Sequence, residues 1–147
     1  MNVDNYRILI TIFLAWWLAQ GLKIPIARLI KGAWNWRLLF SAGGMPSSHS
    51  ALVTATATSV GLYAGFDTPA FAVAFAMALV VIYDAVGVRR QAGFHAQQIN
   101  TLVNELLSGH PISEKRLKEV LGHSPLEVSI GVIFGFLLAF GIWLVWH

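Results

Sequence analysis

The sequence predicts an all-α integral membrane protein, a helical bundle of about four transmembrane helices with short amphipathic helices on one side of the membrane. Of its 147 residues, 56% are hydrophobic and 12% are charged, and the mean hydropathy is +0.65. An ordinary soluble domain carries about 25% charged residues. Four of the six tryptophans lie near the ends of apolar runs, as is typical of residues at the lipid headgroup level. A chain of this length is expected to form a single membrane-embedded domain over residues 1–147.

Four apolar runs approach the roughly 20 residues that cross a hydrocarbon core about 30 Å thick. They cover about residues 8–22, 48–66, 69–87 and 126–146. The first is expected to be a retained anchor, because no small-residue cleavage site separates it from Lys23 and Arg28. The turn between the second and third is so short that it predicts an antiparallel hairpin. Ser124-Pro125-Leu126-Glu127 predicts the start of the fourth, since it combines a capping box with proline at the first helical position.

The basic residues predict the orientation of the bundle. With four spans, the segments 23–47 and 88–125 lie on one side, and they hold nine of the ten Lys and Arg residues. The positive-inside rule makes that side cytoplasmic. We therefore expect a protein of the bacterial plasma membrane whose motif-bearing face is in the cytoplasm and whose two ends point outward.

Further patterns concern packing. Apolar residues recur at helical spacing over 99–107 and 117–121, which predicts two short amphipathic helices that pack on the bundle or lie in the interface. Ala51, Ala55 and Ser59 form a small-residue stripe that permits close helix packing, either within one protomer or in a homodimer. The chain has no cysteine, which excludes disulfides and thiol chemistry.

The stretch Gly-Gly-Met-Pro-Ser-Ser-His-Ser at 43–50 precedes the second span. Its glycines allow close backbone approach, Pro46 suits a helix start, and Ser47 or Ser48 can cap the helix. Amides and hydroxyls at a helix amino terminus bind anions, and His49 adds a titratable group. The alternative is that these residues only cap a membrane helix, with His49 facing the headgroups.

Ionisable residues at the end of the third span are predicted to approach this stretch. The hairpin brings Asp84, Arg89 and Arg90 toward His49. An acid at the edge of a span is costly, so Asp84 is expected to be a supporting functional residue paired with one of the arginines. The alternative is an ion pair that only closes the bundle.

Two more histidines are expected on the same side, His95 and His123. Glu127 follows His123 by four residues, a spacing that places both on one helical face if the helix begins as early as His123, so that the carboxylate orients the imidazole. This role is compatible with helix capping by Glu127. A metal site built from these groups is disfavoured, because no pair has strong ligand spacing.

Three blocks carry a family resemblance: Gly-Met-Pro-Ser-Ser-His-Ser-Ala at 44–51, Tyr-Asp-Ala-Val-Gly-Val-Arg-Arg at 83–90 and Leu-Gly-His-Ser-Pro-Leu-Glu at 121–127. In this order they resemble the divergent small membrane branch of the type 2 phosphatidic acid phosphatase and vanadium-dependent haloperoxidase superfamily. The resemblance spans about residues 44–135. It implies that one histidine attacks phosphorus to form a phosphohistidine, that a second protonates the departing oxygen, and that Lys, Arg and Ser groups hold the phosphoryl oxygens.

Carried over by motif, the resemblance implies that His49 is the general acid and that Ser47, Ser48 and Arg89 bind phosphate, with Arg90 beside them. The superfamily places Asp four residues after its nucleophile, but Ile99 stands four residues after His95. His123 and Glu127 keep that spacing, so His123 is the predicted nucleophile and His95 the second candidate. The first motif is also irregular, and the candidates for its phosphate-binding cation are Lys31, Arg37 and Lys23.

The predicted function is hydrolysis of a lipid phosphate monoester or diphosphate through a phosphohistidine, by a phosphoric monoester hydrolase that needs no metal or other cofactor. The predicted partners are a membrane lipid phosphate, the bilayer and a second copy of the chain. Nucleic acid is not implied, because membrane topology explains the net charge of +3. One alternative is a non-catalytic binder or carrier of anionic phospholipid that keeps the phosphate site. Another is a structural subunit without a site.

Overall fold

A computed structural model describes residues 3–32, 34–40, 43–106 and 122–146, and within these ranges the chain is helical and has no strand. Its elements in order are α1 (Val3–Lys31), a short 3₁₀ helix (Trp36–Phe40), α2 (Ser48–Ala64), α3 (Pro69–Val86), α4 (Val88–Leu106) and α5 (Pro125–Trp146). The predicted all-α membrane bundle is therefore confirmed.

Three helical runs in the described ranges are long and apolar enough to cross a membrane: Val3–Ile30, Pro69–Asn104 and Pro125–Trp146. The first is longer than the predicted span 8–22, because α1 continues through Lys23 and Pro25. The helix α2 has 17 residues, which is about 25 Å of helix at about 1.5 Å per residue. It coincides with the predicted second span and is the central helix, packed against α1, α3 and α5.

The closest helix contact joins α2 and α5, which run parallel. A Cβ atom added to Gly131 would lie 2.5 Å from the carbonyl oxygen of Ser47, and one added to Gly135 would overlap the backbone of Ala51. Two glycines four residues apart on α5 thus let the two backbones touch, as small residues do in membrane helix pairs. This contact fixes the start of α5 beside the start of α2.

The small-residue stripe of α2 is used inside the protomer. Ala55 is fully buried in a cluster with Ala15 of α1 and Ala139 of α5. Ser59, at the end of the stripe, is fully buried as well. Of the two arrangements that the sequence allowed for this stripe, the fold adopts the one within a single chain.

The hairpin predicted between the second and third spans is present. Gly65 ends α2, and Thr68 caps α3 by accepting a hydrogen bond from the backbone N–H of Phe71 at 3.2 Å. The helix α1 runs antiparallel to α2: the Arg7 guanidinium lies 5.9 Å from the ring centre of Tyr63 near the end of α2. The amino termini of α2 and α5 therefore lie at the end of the bundle where α1 finishes.

The amphipathic helix predicted over 99–107 is part of α4, which starts earlier, at Val88. Among the described elements, α4 packs only against α3. The second predicted amphipathic helix, over 117–121, lies outside the described residues.

Candidate active site

Three helices contribute to one polar cluster at the end of the bundle: the amino termini of α2 and α5, and the later part of α1. The Ser47 backbone N–H donates to the carbonyl oxygen of Glu127 at 3.0 Å, which joins the two amino termini directly. The predicted capping box is confirmed, because the Glu127 N–H donates to Ser124 Oγ at 3.3 Å and the Ser124 N–H donates to Glu127 Oε2 at 3.0 Å.

The start of α2 is held by buried serines. Ser47 is the N-cap residue, and its Oγ accepts hydrogen bonds from the Ser50 N–H at 3.3 Å and from the Ser50 hydroxyl at 3.0 Å. These contacts fix the Ser47 hydroxyl at the start of α2, beside Ser50. Ser48, the first residue of α2, is 2% exposed.

His123 and Glu127 form the pair that their spacing predicted. His123 Nδ1 lies 3.2 Å from Glu127 Oε2, and the His123 side chain is 5% exposed. A carboxylate at Nδ1 favours the tautomer that carries its proton there, which leaves a lone pair on Nε2. His123 Nε2 is buried and has no hydrogen-bond partner in the described structure.

The imidazole rings of His49 and His123 are neighbours at the junction of α2 and α5, the place where the two amino termini meet. Their centroids are 6.2 Å apart, in an edge-to-face arrangement with an interplanar angle of 61°. Reacting atoms in near-attack geometry are about 3–3.5 Å apart. The 6.2 Å separation joins the centres of the rings, so their nearest atoms are closer than two such contacts in series, and a phosphoryl group would contact both imidazoles only after the rings separate.

Lys23 of α1 supplies a cation to the same cluster. Its side chain is 1% exposed and interacts electrostatically with Glu127. Its methylene groups pack on Gly44, where an added Cβ would lie 3.6 Å from Lys23 Cδ. Gly44 has a φ of 96°, which favours glycine. The glycine turn before α2 thus lies over the methylene groups of a buried lysine. A buried charge requires an opposite charge or a hydrogen-bond partner, and the Glu127 carboxylate supplies the opposite charge.

A cavity of about 790 Å³ adjoins this cluster. Ser48 and His49 form part of its wall, and the rest comes from α1 and the 3₁₀ helix, including Trp16, Trp17, Ile24, Trp36, Leu39 and Phe40. Gln20 holds the two walls together, because its Nε2 donates to the carbonyl oxygen of Leu39 at 2.6 Å. The His49 side chain therefore lies between a polar cluster and an apolar cavity.

The other predicted site residues lie elsewhere or are described only as backbone. His95 is exposed on α4, in the wall of a different cavity with Gln91 and Thr101. Arg37 is exposed on the 3₁₀ helix. Asp84 is half-buried in the last turn of α3. The side chains of Lys31, Arg89 and Arg90 lie outside the described residues, so phosphate binding by these three stays a prediction.

Several features of the site were not predicted. Ser50 supports the N-cap from within α2, and its position three residues after Ser47 is the signal that would have identified it. The Gly131 and Gly135 pair, with the four-residue spacing of a membrane helix contact, would have predicted where α5 meets another helix. Gln20 and the aromatic cavity had no comparable sequence signal, because their roles depend on the folded 3₁₀ helix.

Comparison with known proteins gives two matches. A family model described as "Divergent PAP2 family" matches residues 4–138. A protein of Bacillus subtilis (strain 168), described as "Uncharacterized membrane protein YuiD", is 45% identical to the chain, over an alignment that covers 82% of this chain and 83% of the relative. No solved structure matches the chain.

Proposed function

The chain belongs to the divergent PAP2 family, and from this premise we propose that it hydrolyses a phosphate monoester or diphosphate of a membrane lipid through a phosphohistidine intermediate. The observation that carries the proposal is the His123–Glu127 pair with the His49 ring 6.2 Å away. Two-step transfer of a phosphoryl group to water requires a nucleophile and a general acid close to it. The oriented imidazole of His123 and the neighbouring imidazole of His49 can supply these two groups.

In the proposed first step, the lone pair of His123 Nε2 forms a bond to phosphorus while the bond from phosphorus to the lipid oxygen breaks. His49, protonated at the start, gives its proton to that departing oxygen. Glu127 stabilises the positive charge that develops on the His123 ring. In the second step, neutral His49 takes a proton from water, whose oxygen attacks phosphorus and releases phosphate from His123.

Donors around the junction would hold the phosphoryl oxygens. Lys23 is the buried cation of the cluster, and Ser47 and Ser48 lie at the amino terminus of α2, where the helix dipole favours an anion. Preorganised donors and charges of this kind usually supply the largest part of transition-state stabilisation. Arg89 and Arg90 begin α4 and are proposed as further ligands on the family pattern.

The site lies at an end of the membrane-spanning bundle, at a depth that a lipid headgroup could reach from the bilayer. We propose that this end faces the cytoplasm of a bacterial cell, since the segments predicted on this side, 23–47 and 88–125, hold nine of the ten basic residues. Substrate classes to test are phosphatidic acid, phosphatidylglycerol phosphate and polyprenyl phosphates. A homodimer stays a prediction.

The test is phosphate release by the detergent-purified chain from these three classes. Release from at least one class, inhibited by orthovanadate, supports the proposal, because vanadate mimics the transferring phosphoryl group. A pure and folded protein that releases phosphate from none of them contradicts it.

One observation favours a second function, a non-catalytic binder of anionic phospholipid. His123 Nε2 is enclosed, and His123 is absent from the wall of the adjoining cavity. Attack on phosphorus therefore requires the junction to open. If it stays closed, lipid phosphates should stabilise the protein against unfolding without being hydrolysed, and loss of His123 should leave that stabilisation unchanged.

Lys23→Met is expected to lower kcat/KM for lipid phosphate by about a hundredfold, since a charged donor to the transferring group is lost. Removing one partner of a buried ionic interaction usually destabilises a protein, so the unfolding temperature is expected to fall as well, and the rates are compared at a temperature where both proteins are folded. Initial rates and unfolding temperatures measure the two effects separately.

Arg37→Met is the matched control, since it removes a basic side chain that is exposed on the 3₁₀ helix. Its kcat/KM should stay within about twofold of the wild type, as is usual for surface substitutions away from a site. Equal losses in both variants would show that net charge near the membrane, rather than the buried Lys23, determines the rate.

A further inference from the structure

The cavity beside His49 has two chemically different parts. Ser48 and His49 form its polar part, next to the cluster that includes Lys23. The walls farther from α2 are mostly aromatic and aliphatic, with Trp16 and Trp17 on one side and Phe40 on the other. Its volume of about 790 Å³ lies within the range of about 300–1,000 Å³ that is usual for ligand sites.

Besides Ser48 and His49 of α2, the cavity wall contains the polar side chain of Gln20, which has a structural role. Gln20 Nε2 donates to the carbonyl oxygens of Leu39 at 2.6 Å and Leu38 at 3.4 Å, which ties the 3₁₀ helix to α1. Apart from Gln20 and the N–H groups of the tryptophan rings, the wall supplied by α1 and the 3₁₀ helix is apolar. It suits methylene groups that begin directly at the phosphate better than a glycerol backbone with two ester groups.

Gly21 lies in the same wall and leaves space there. A Cβ added to Gly21 would have no atom within 4 Å. The residues around it are larger, including Trp17 and Ile24 on the same helix. The Cβ of a larger side chain at this position would meet no neighbouring atom, and the side chain would take up part of the cavity. Glycine therefore leaves the cavity wider than other residues would.

We propose that this cavity binds the hydrocarbon chain of a single-chain lipid phosphate, one whose chain is joined directly to the phosphate oxygen, such as an alkyl or prenyl phosphate. The proposal rests on the proposed function, because it assumes that the phosphate lies between His49 and His123. Hydrocarbon in a bilayer is already out of water, so the cavity acts by positioning the phosphate rather than by hydrophobic transfer. The chain determines which lipids place their phosphorus at His123.

The experiment measures binding, so that it does not depend on turnover. The full chain in phosphatidylcholine nanodiscs is titrated with hexadecylphosphonate, ethylphosphonate and the phosphonate analogue of dioleoyl phosphatidic acid, and affinities are taken from the rise in unfolding temperature. Hexadecylphosphonate also partitions into the bilayer, and protein-free nanodiscs measure that contribution. The wild type is expected to bind hexadecylphosphonate over ethylphosphonate about tenfold more tightly than partitioning alone explains, a usual scale for apolar discrimination in a pocket, and this excess is the preference for the long chain. The diacyl analogue should bind more weakly than hexadecylphosphonate.

Gly21→Leu fills the cavity, and Gly141→Leu is the matched control. Gly141 lies on α5 in the wall of a different cavity, and an added Cβ there also has no atom within 4 Å. The preference for the long chain should disappear in Gly21→Leu and persist in Gly141→Leu.

A preference that survives in Gly21→Leu, or tighter binding of the diacyl analogue by the wild type, would overturn the proposal. Stabilisation of the wild type by orthovanadate with no preference for the long chain would overturn it while the proposed function stands. If neither vanadate nor any phosphonate binds, the phosphate site itself is wrong and both proposals fall.

Discussion

Replacing His123 by alanine is expected to lower the rate of phosphate release by about 10⁴-fold or more, the scale seen when a nucleophile is removed from an enzyme that forms a covalent intermediate. His123 Nδ1 lies 3.2 Å from Glu127 Oε2, so the carboxylate orients the ring for attack by Nε2. The measurement is the initial rate with a lipid phosphate, at matched unfolding temperature. His95→Ala should keep the wild-type rate, because His95 is exposed on α4 and lines a separate cavity.

His49→Ala separates the general acid from the nucleophile. With an alkyl phosphate the rate should fall by about 10²–10⁴-fold, the usual contribution of general acid catalysis. With an aryl phosphate, whose leaving oxygen needs no proton, formation of the intermediate should continue. If His95→Ala is inactive and His123→Ala is active, the superfamily spacing of arginine and nucleophile holds and the assignment to His123 is wrong.

Gly135→Leu is expected to prevent the bundle from forming properly. A side chain at this position would overlap the backbone of Ala51, which cannot move without separating α5 from α2. Overpacking usually costs about 1–3 kcal/mol, and more where the obstacle is backbone. We expect the unfolding temperature to fall by about 10 °C or more, with loss of the site, because the same contact places Glu127 beside Ser47.

The control for this prediction lies on the same helix. Gly141→Leu makes the same substitution where an added Cβ has no atom within 4 Å, and it should melt at or above the wild-type temperature, since leucine favours helix over glycine. Similar melting temperatures for the two leucine variants would contradict the close contact of α2 and α5.

The sequence predicted the features of this fold that depend on local chemistry. Composition predicted a membrane bundle, and the capping box at Ser124 and the hairpin turn before Thr68 are present as expected. The His123–Glu127 contact was predicted from helical spacing and is present, although α5 begins at Pro125 and His123 precedes the helix. These features need only neighbouring residues, so no knowledge of tertiary packing was required.

The helix α1 extends beyond the apolar run predicted over about residues 8–22. That run ends before Lys23, yet the helix continues through Pro25 to Lys31. Membrane helices tolerate proline where neighbouring groups compensate for the lost hydrogen bond. Lys23 is buried and is attracted electrostatically by Glu127, a residue more than 100 positions away in the sequence. Contacts at that separation, like the cavity under the 3₁₀ helix, become visible only in the folded chain.

The most direct test of the central claim is to trap the intermediate. The purified wild-type protein is mixed with a lipid phosphate labelled in its phosphoryl group, quenched in alkali during turnover and digested, and the labelled peptide is sequenced by mass spectrometry. The account predicts an acid-labile phosphate on His123. Label on His95 or His49, or turnover without any phosphohistidine, would contradict it.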